Sequence, residues 1–103
     1  MGIIGVALND ENGTEIHPEV GDTHLLDAPL GNLYGEELHC LRYIDPYGDT
    51  VFNRLQLERL DVEWAAVDAA LTDPETRNVS HEVRRLIASG RSSPHQYLKF
   101  SGD

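Results

Sequence analysis

The chain is 103 residues long, 40% apolar and 25% charged, with 18 Asp and Glu against 8 Lys and Arg for a formal net charge of −10. A chain of that length holds a single domain, spanning 1–103, and no run in it approaches the ~20 apolar residues of a membrane span. The single Cys40 excludes a disulfide scaffold, and a start that lacks both a basic region and a small-residue cleavage site predicts a cytoplasmic protein without a secretory leader.

Ile3 to Leu8 is apolar and partly β-branched, and the Asn12-Gly13 pair behind it is the strongest short-range hairpin signal, because a type I′ turn needs positive φ at both central residues. The return strand, Thr14 to His17, is stopped by Pro18, which cannot donate to a ladder and so marks an edge. From Pro18 to Glu37 the text is rich in Gly, Pro, Asp and Asn, and Leu25, Leu26, Leu30 and Leu33 keep no steady period, which predicts a loop with apolar anchors. A second hairpin is expected from Leu38–Ile44 and Thr50–Phe52, joined by Asp45-Pro46-Tyr47-Gly48-Asp49. In that turn Asp opens, Pro presets φ and Gly accepts the left-handed position.

Asn53 with Gln56 three residues on forms a variant capping box and starts a helix. Leu57, Leu60, Trp64, Val67 and Leu71 then recur at helical spacing as one apolar stripe, with Glu58, Arg59, Asp61, Glu63 and Asp68 off it. Thr72-Asp73-Pro74 ends that helix. A second follows from about Glu75 or Ser80, with Val79, Val83, Leu86 and Ile87 inward and Gly90 as its left-handed terminator. His95 to Phe100 alternates and reads as a closing strand. The predicted fold is therefore α+β: an antiparallel sheet of four or five strands, from two hairpins plus a C-terminal strand, with two helices packed on one face.

Charge is distributed unevenly along the chain. Residues 1–41 carry Asp10, Glu11, Glu15, Glu19, Asp22, Asp27, Glu36 and Glu37 and no Lys or Arg, while 42–103 hold ten acids and all eight bases. An acidic segment without cations cannot neutralise itself locally, so it projects a negative potential over roughly 8 Å at physiological salt. Nucleic acid is repelled by such a surface, and a basic protein is attracted. The expectation is a small acidic protein-binding module, in the class of inhibitors of the immunity-protein or antitoxin kind. It meets its basic partner through Glu15, Glu19, Asp22, Asp27, Glu36 and Glu37, with Tyr47 as a rigid aromatic anchor on its turn. No nucleic-acid or membrane partner is expected. Self-association through the edge strand or the Leu57 to Leu71 helix is a further expectation.

Catalytic patterns are sparse. His17, His24 and His39 lie among carboxylates, which supports an alternative reading as a metal-dependent or small-molecule enzyme, but their spacing matches no zinc motif. Asp10 to Glu15 lacks the ligand alternation of a calcium loop and is better explained as a turn. Cys40 neighbours His39, yet adjacent strand residues point to opposite faces, so the two are not expected to share a proton. No glycine-rich phosphate loop occurs, and neither a cofactor nor a catalytic residue is predicted.

The run Leu41-Arg42-Tyr43-Ile44-Asp45-Pro46-Tyr47-Gly48-Asp49-Thr50-Val51-Phe52-Asn53-Arg54-Leu55-Gln56 and the ending Tyr97-Leu98-Lys99-Phe100-Ser101-Gly102-Asp103 resemble small bacterial proteins of about this length that carry no assigned function. The resemblance covers about a quarter of the chain and implies no activity and no site residue.

Overall fold

A computed structural model describes residues 2–17, 19–31, 39–45 and 47–103. Its elements are β1 (Ile3–Asp10), α1 (Asp27–Gly31), β2 (Asp49–Phe52), α2 (Arg54–Ala70), α3 (Pro74–Arg91) and β3 (Gln96–Gly102), with 3-10 turns at Thr23–Leu26 and Leu41–Tyr43. The C-terminal strand is central: it pairs antiparallel with β1 on one side and β2 on the other, giving the order β1-β3-β2.

Alternation fixes which face of the sheet is covered. Leu98 and Phe100 of β3 are buried, Leu8 and Val6 stand opposite them on β1, and Phe52 and Thr50 on β2. Their shared face packs on Leu57, Leu60, Trp64 and Val67 of α2 and on Val83 and Ile87 of α3. Phe100 holds the centre, with the Phe52 ring edge-on at 5.8 Å and the Trp64 ring tilted at 6.1 Å, within the range where aromatic pairs add to simple burial. A buried indole needs an acceptor for its N–H. Trp64 Nε1 donates to Ser80 Oγ at 2.9 Å and also reaches the Ser80 carbonyl at 3.2 Å, and the Ser80 hydroxyl donates to Asp68. Arg84 continues the link between the helices, contacting Asp68 at 2.9 Å and Asp61 at 3.3 Å, and Arg91 meets Asp61 at 2.6 Å. The Asp68 contact holds the Arg84 guanidinium pKa above its ordinary value.

Helix starts follow the sequence. Asn53 accepts from the Gln56 amide while the Gln56 side chain accepts from Asn53 N, so the capping box is present at α2. Asp73 caps α3 through the amide and hydroxyl of Thr76, which hold its carboxyl below the usual range, and Pro74 takes the first helical position. Gly90 is not a terminator: α3 runs on through Arg91, and the glycine is buried where an added Cβ would stand 2.5 Å from Leu57 Cδ1.

The expected sheet and helix counts are both overturned. The sheet has three strands, not four or five, and α1 makes a third helix where the loop was expected. The return half of the first hairpin makes a single bridge, Asn9 to Glu15. Beyond that bridge, Ile16 N donates to Leu8 O and Val20 N to Val6 O. Four residues on the return thus match two on β1, and the surplus prevents a ladder. The turn itself is not type I′. Among the described residues around it only Gly13 has positive φ, at 83°, and the Asp10 carboxylate accepts from Asn12 N and Thr14 N, both at 2.9 Å. The proposed stop at Pro18 lies outside the described residues. The first half of the second hairpin is no strand either: 41–43 form a 3-10 turn, because the amides of Cys40 and Leu41 donate to the Glu63 carboxylate instead of to a neighbouring strand. Glu63, expected off the apolar stripe, is buried.

Candidate functional site

After the first turn the chain runs back along the outer edge of β1 and then departs at Gly21-Asp22. Asp22 takes a left-handed conformation, φ 57° and ψ 28°, which a non-glycine residue adopts at a cost of order 1–2 kcal/mol. That reversal feeds the 3-10 turn at 23–26, which is tied down by buried Leu26 and by Thr23 Oγ1 donating to Ile3 O at 3.2 Å. His17 and residues 19–25 thereby stand opposite one flank of α3, and a groove opens between them.

The groove has two connected parts. The larger, about 660 Å³, has His17, Glu19, Val20 and Asp22 on one wall and Asn78, Val79, Glu82, Arg85, Leu86 and Ser89 of α3 on the other. The smaller, about 390 Å³, shares Asp22, Asn78 and Val79 and adds His24, Leu25 and Glu75. Val20, Val79, Leu86 and Leu25 give an apolar floor. Glu19, Asp22, Glu75 and Glu82 add four acidic residues to its lining, and the cation among the described lining residues, Arg85, pairs with Glu82 at 2.8 Å. The lining is therefore anionic overall, and its floor offers area that water leaves at a gain.

The expected contact residues scatter in part. Glu19 and Asp22 meet at the groove, and the Glu19 carboxylate lies across Gly5, where an added Cβ would stand 1.4 Å from its oxygen. Glu15 is exposed at the turn end of β1 and does not line the groove. Asp27 is engaged inside the molecule: its Oδ1 accepts the Ile3 amide at 2.9 Å and pins the start of β1. Tyr47 is 66% exposed on its turn, away from the groove. Glu36 and Glu37 lie outside the described residues.

His17 and His24 flank the two parts of the groove, whereas His39 is exposed beside the 3-10 turn at 41–43. Among the described residues no three His, Cys, Asp or Glu side chains gather where they could hold a metal ion. Cys40 is buried, its thiol approaches the Gln56 carbonyl at 3.5 Å, and burial first, then the Glu63 charge, pushes its pKa up. Such a thiol is a poor nucleophile.

The α3 wall of the groove was missed in the sequence. Asn78, Glu82, Arg85 and Ser89 recur at intervals of four, three and four, a polar stripe beside the inward one, but nothing local says that a distant segment stands opposite. Comparison of the chain with protein-family models, with curated proteins and with solved structures finds no match, so the geometry above carries the functional reading. No helix among the described residues is long and apolar enough to cross a membrane.

Proposed function

We propose that the chain is a small acidic protein-binding module that receives a basic segment of a partner protein in the groove between residues 19–25 and α3, as an inhibitor of the immunity-protein or antitoxin kind would. The observation that carries this reading is the groove's chemistry: four acidic lining residues, of which Glu82 pairs with Arg85, against apolar Val20, Leu25, Val79 and Leu86. The surroundings support it. Arg84, Arg85, Arg91 and Lys99 pair with Asp61 and Asp68, Glu82 or Asp49, in the second half of the sequence. Among the described residues no Lys or Arg pairs with Asp10, Glu15, Glu19, Asp22 or Asp27, so the anionic flank keeps its field. That field speeds encounter with a cationic segment, and apolar side chains of the segment gain affinity on the floor.

A fluorescein-labelled peptide of alternating Arg and Leu is the probe, read by anisotropy at low and high salt. The chain binds it, and the triple variant Glu19→Gln, Asp22→Asn, Glu75→Gln weakens binding about tenfold or more. A control with the same charge removed elsewhere, Glu11→Gln, Glu15→Gln, Glu58→Gln, stays within about twofold of the parent chain. Equal losses in both variants reduce the effect to general attraction and overturn the groove. Binding that does not respond to salt overturns the electrostatic basis.

A further inference from the structure

We infer that the solvent face of α2 is the seam of an antiparallel homodimer, centred on Val62 and separate from the groove. The helix has two apolar faces. Leu57, Leu60, Trp64 and Val67 are buried in the core, but Leu55 and Val62 are 66% and 67% exposed on the opposite side. Ala65, Ala66, Ala69 and Ala70 are exposed there too. Leu55, Val62 and Ala69 recur every seventh residue, the repeat that keeps one stripe of a helix against a partner helix. The Leu57, Leu60, Trp64 and Val67 stripe is already the core, so self-association through this helix would use its solvent face.

A second copy of this chain is the occupant that the pattern fits. Place a two-fold axis at Val62 and run the two helices antiparallel: Leu55 then meets Ala69 of the second copy, Glu58 meets Ala66, Arg59 meets Ala65 and Arg54 meets Ala70. Each large side chain on the N-terminal half faces an alanine on the C-terminal half, so the surfaces interdigitate and the backbones approach closely. In parallel alignment large would meet large and small would meet small. Charge gives the same orientation. Arg54 is the first residue of α2, where the positive end of its own helix dipole disfavours it, and it makes no ion pair among the described residues. The last turn of α2 carries no basic residue to meet its free carbonyls. An antiparallel neighbour sets Arg54 beside those carbonyls and aligns the two helix dipoles favourably.

Analytical ultracentrifugation of the full chain tests this. The weight-average mass rises with concentration from the 11.5 kDa of one chain toward twice that value, and Val62→Glu, which opposes two carboxylates at the axis, stays at single-chain mass with an unchanged circular dichroism spectrum. Should that variant lose helix signal, Ala66→Glu serves in its place. Oxidative cross-linking reads the register. Val62→Cys links to itself, whereas Leu55→Cys does not, because its two copies stand about 21 Å apart along the seam. A parent chain that keeps single-chain mass up to about 1 mM, the weak limit of specific association, overturns the proposal. So does a dimer that survives the Glu variants, or one that cross-links through L55C rather than V62C.

Discussion

Glu63 is the side chain on which the middle of the molecule depends. Its carboxylate is 2% exposed, accepts Cys40 N at 2.9 and 3.1 Å and Leu41 N at 3.0 Å, and meets Arg59 Nε at 3.0 Å. A charge taken out of water costs several kcal/mol unless donors surround it, and here two amides and a guanidinium do so. The return is positional: the carboxylate holds residues 39–43 against α2 in the way a capping acid holds a helix start. Glu63→Ala leaves two buried amides without an acceptor, at ~1–3 kcal/mol each, so a loss of about 3 kcal/mol is expected in urea unfolding. Glu63→Gln keeps an acceptor and loses less. The same variants report on Cys40. In the parent chain burial and the neighbouring carboxylate both disfavour the thiolate, so labelling by a thiol reagent near neutral pH is slow. In Glu63→Ala the clamp is gone and labelling accelerates; an unchanged rate would mean that residues 39–43 are held by something else.

At the scale of elements, Gly90 records how α3 fits the rest of the core. A methyl at that position would stand 2.5 Å from Leu57 Cδ1 and 3.1 Å from Leu8 Cδ1, so the glycine sets how near α3 comes to α2 and β1. In an exposed helix interior Gly→Ala stabilises by about 1 kcal/mol. Here crowding of two fully buried leucines, at about 1–3 kcal/mol, outweighs that gain, so Gly90→Ala lowers the melting temperature rather than raising it. A higher melting temperature would mean that the helix can move away at no cost. Gly90 also marks the limit of what the text discloses. Elements whose signals are local were legible: the α2 stripe with its Asn53 and Gln56 cap, the α3 stripe, the strand alternation at Leu98 and Phe100. Where a distant partner decides, the sequence misled. Leu41 to Tyr43 has strand composition, but Glu63 takes its amides; Glu63 looks like any surface acid until those amides arrive; and Thr14 to Val20 misses a ladder by a spacing mismatch with β1. The groove falls in the same category, since its acidic wall was readable in Glu19 and Asp22 and its α3 wall was not.

The whole molecule carries two surfaces of opposite physical character on different elements, and its net charge separates them. In the proposed reading the groove attracts a cationic segment through Glu19, Asp22 and Glu75, which no Lys or Arg pairs with among the described residues, and every such attraction weakens as salt screens it. The α2 seam joins two bodies that each bear −10, so long-range repulsion opposes a contact made mainly by Leu55, Val62 and alanines. Screening relieves that repulsion and leaves the apolar contact intact. Raising salt from about 0.1 M to about 1 M shortens the screening length from about 10 Å to about 3 Å. Over that range the Arg and Leu peptide loses about tenfold or more in affinity while self-association strengthens, so the two responses have opposite sign in one buffer series. Sedimentation and anisotropy on the same samples measure both. If self-association weakened alongside peptide binding, ion pairs rather than interdigitated apolar side chains would hold the copies together, and the seam would have to lie elsewhere. If peptide binding held steady while self-association strengthened, the groove would be capturing its segment by the floor of Val20, Val79 and Leu86 alone, and the acidic lining residues would have no part in recognition.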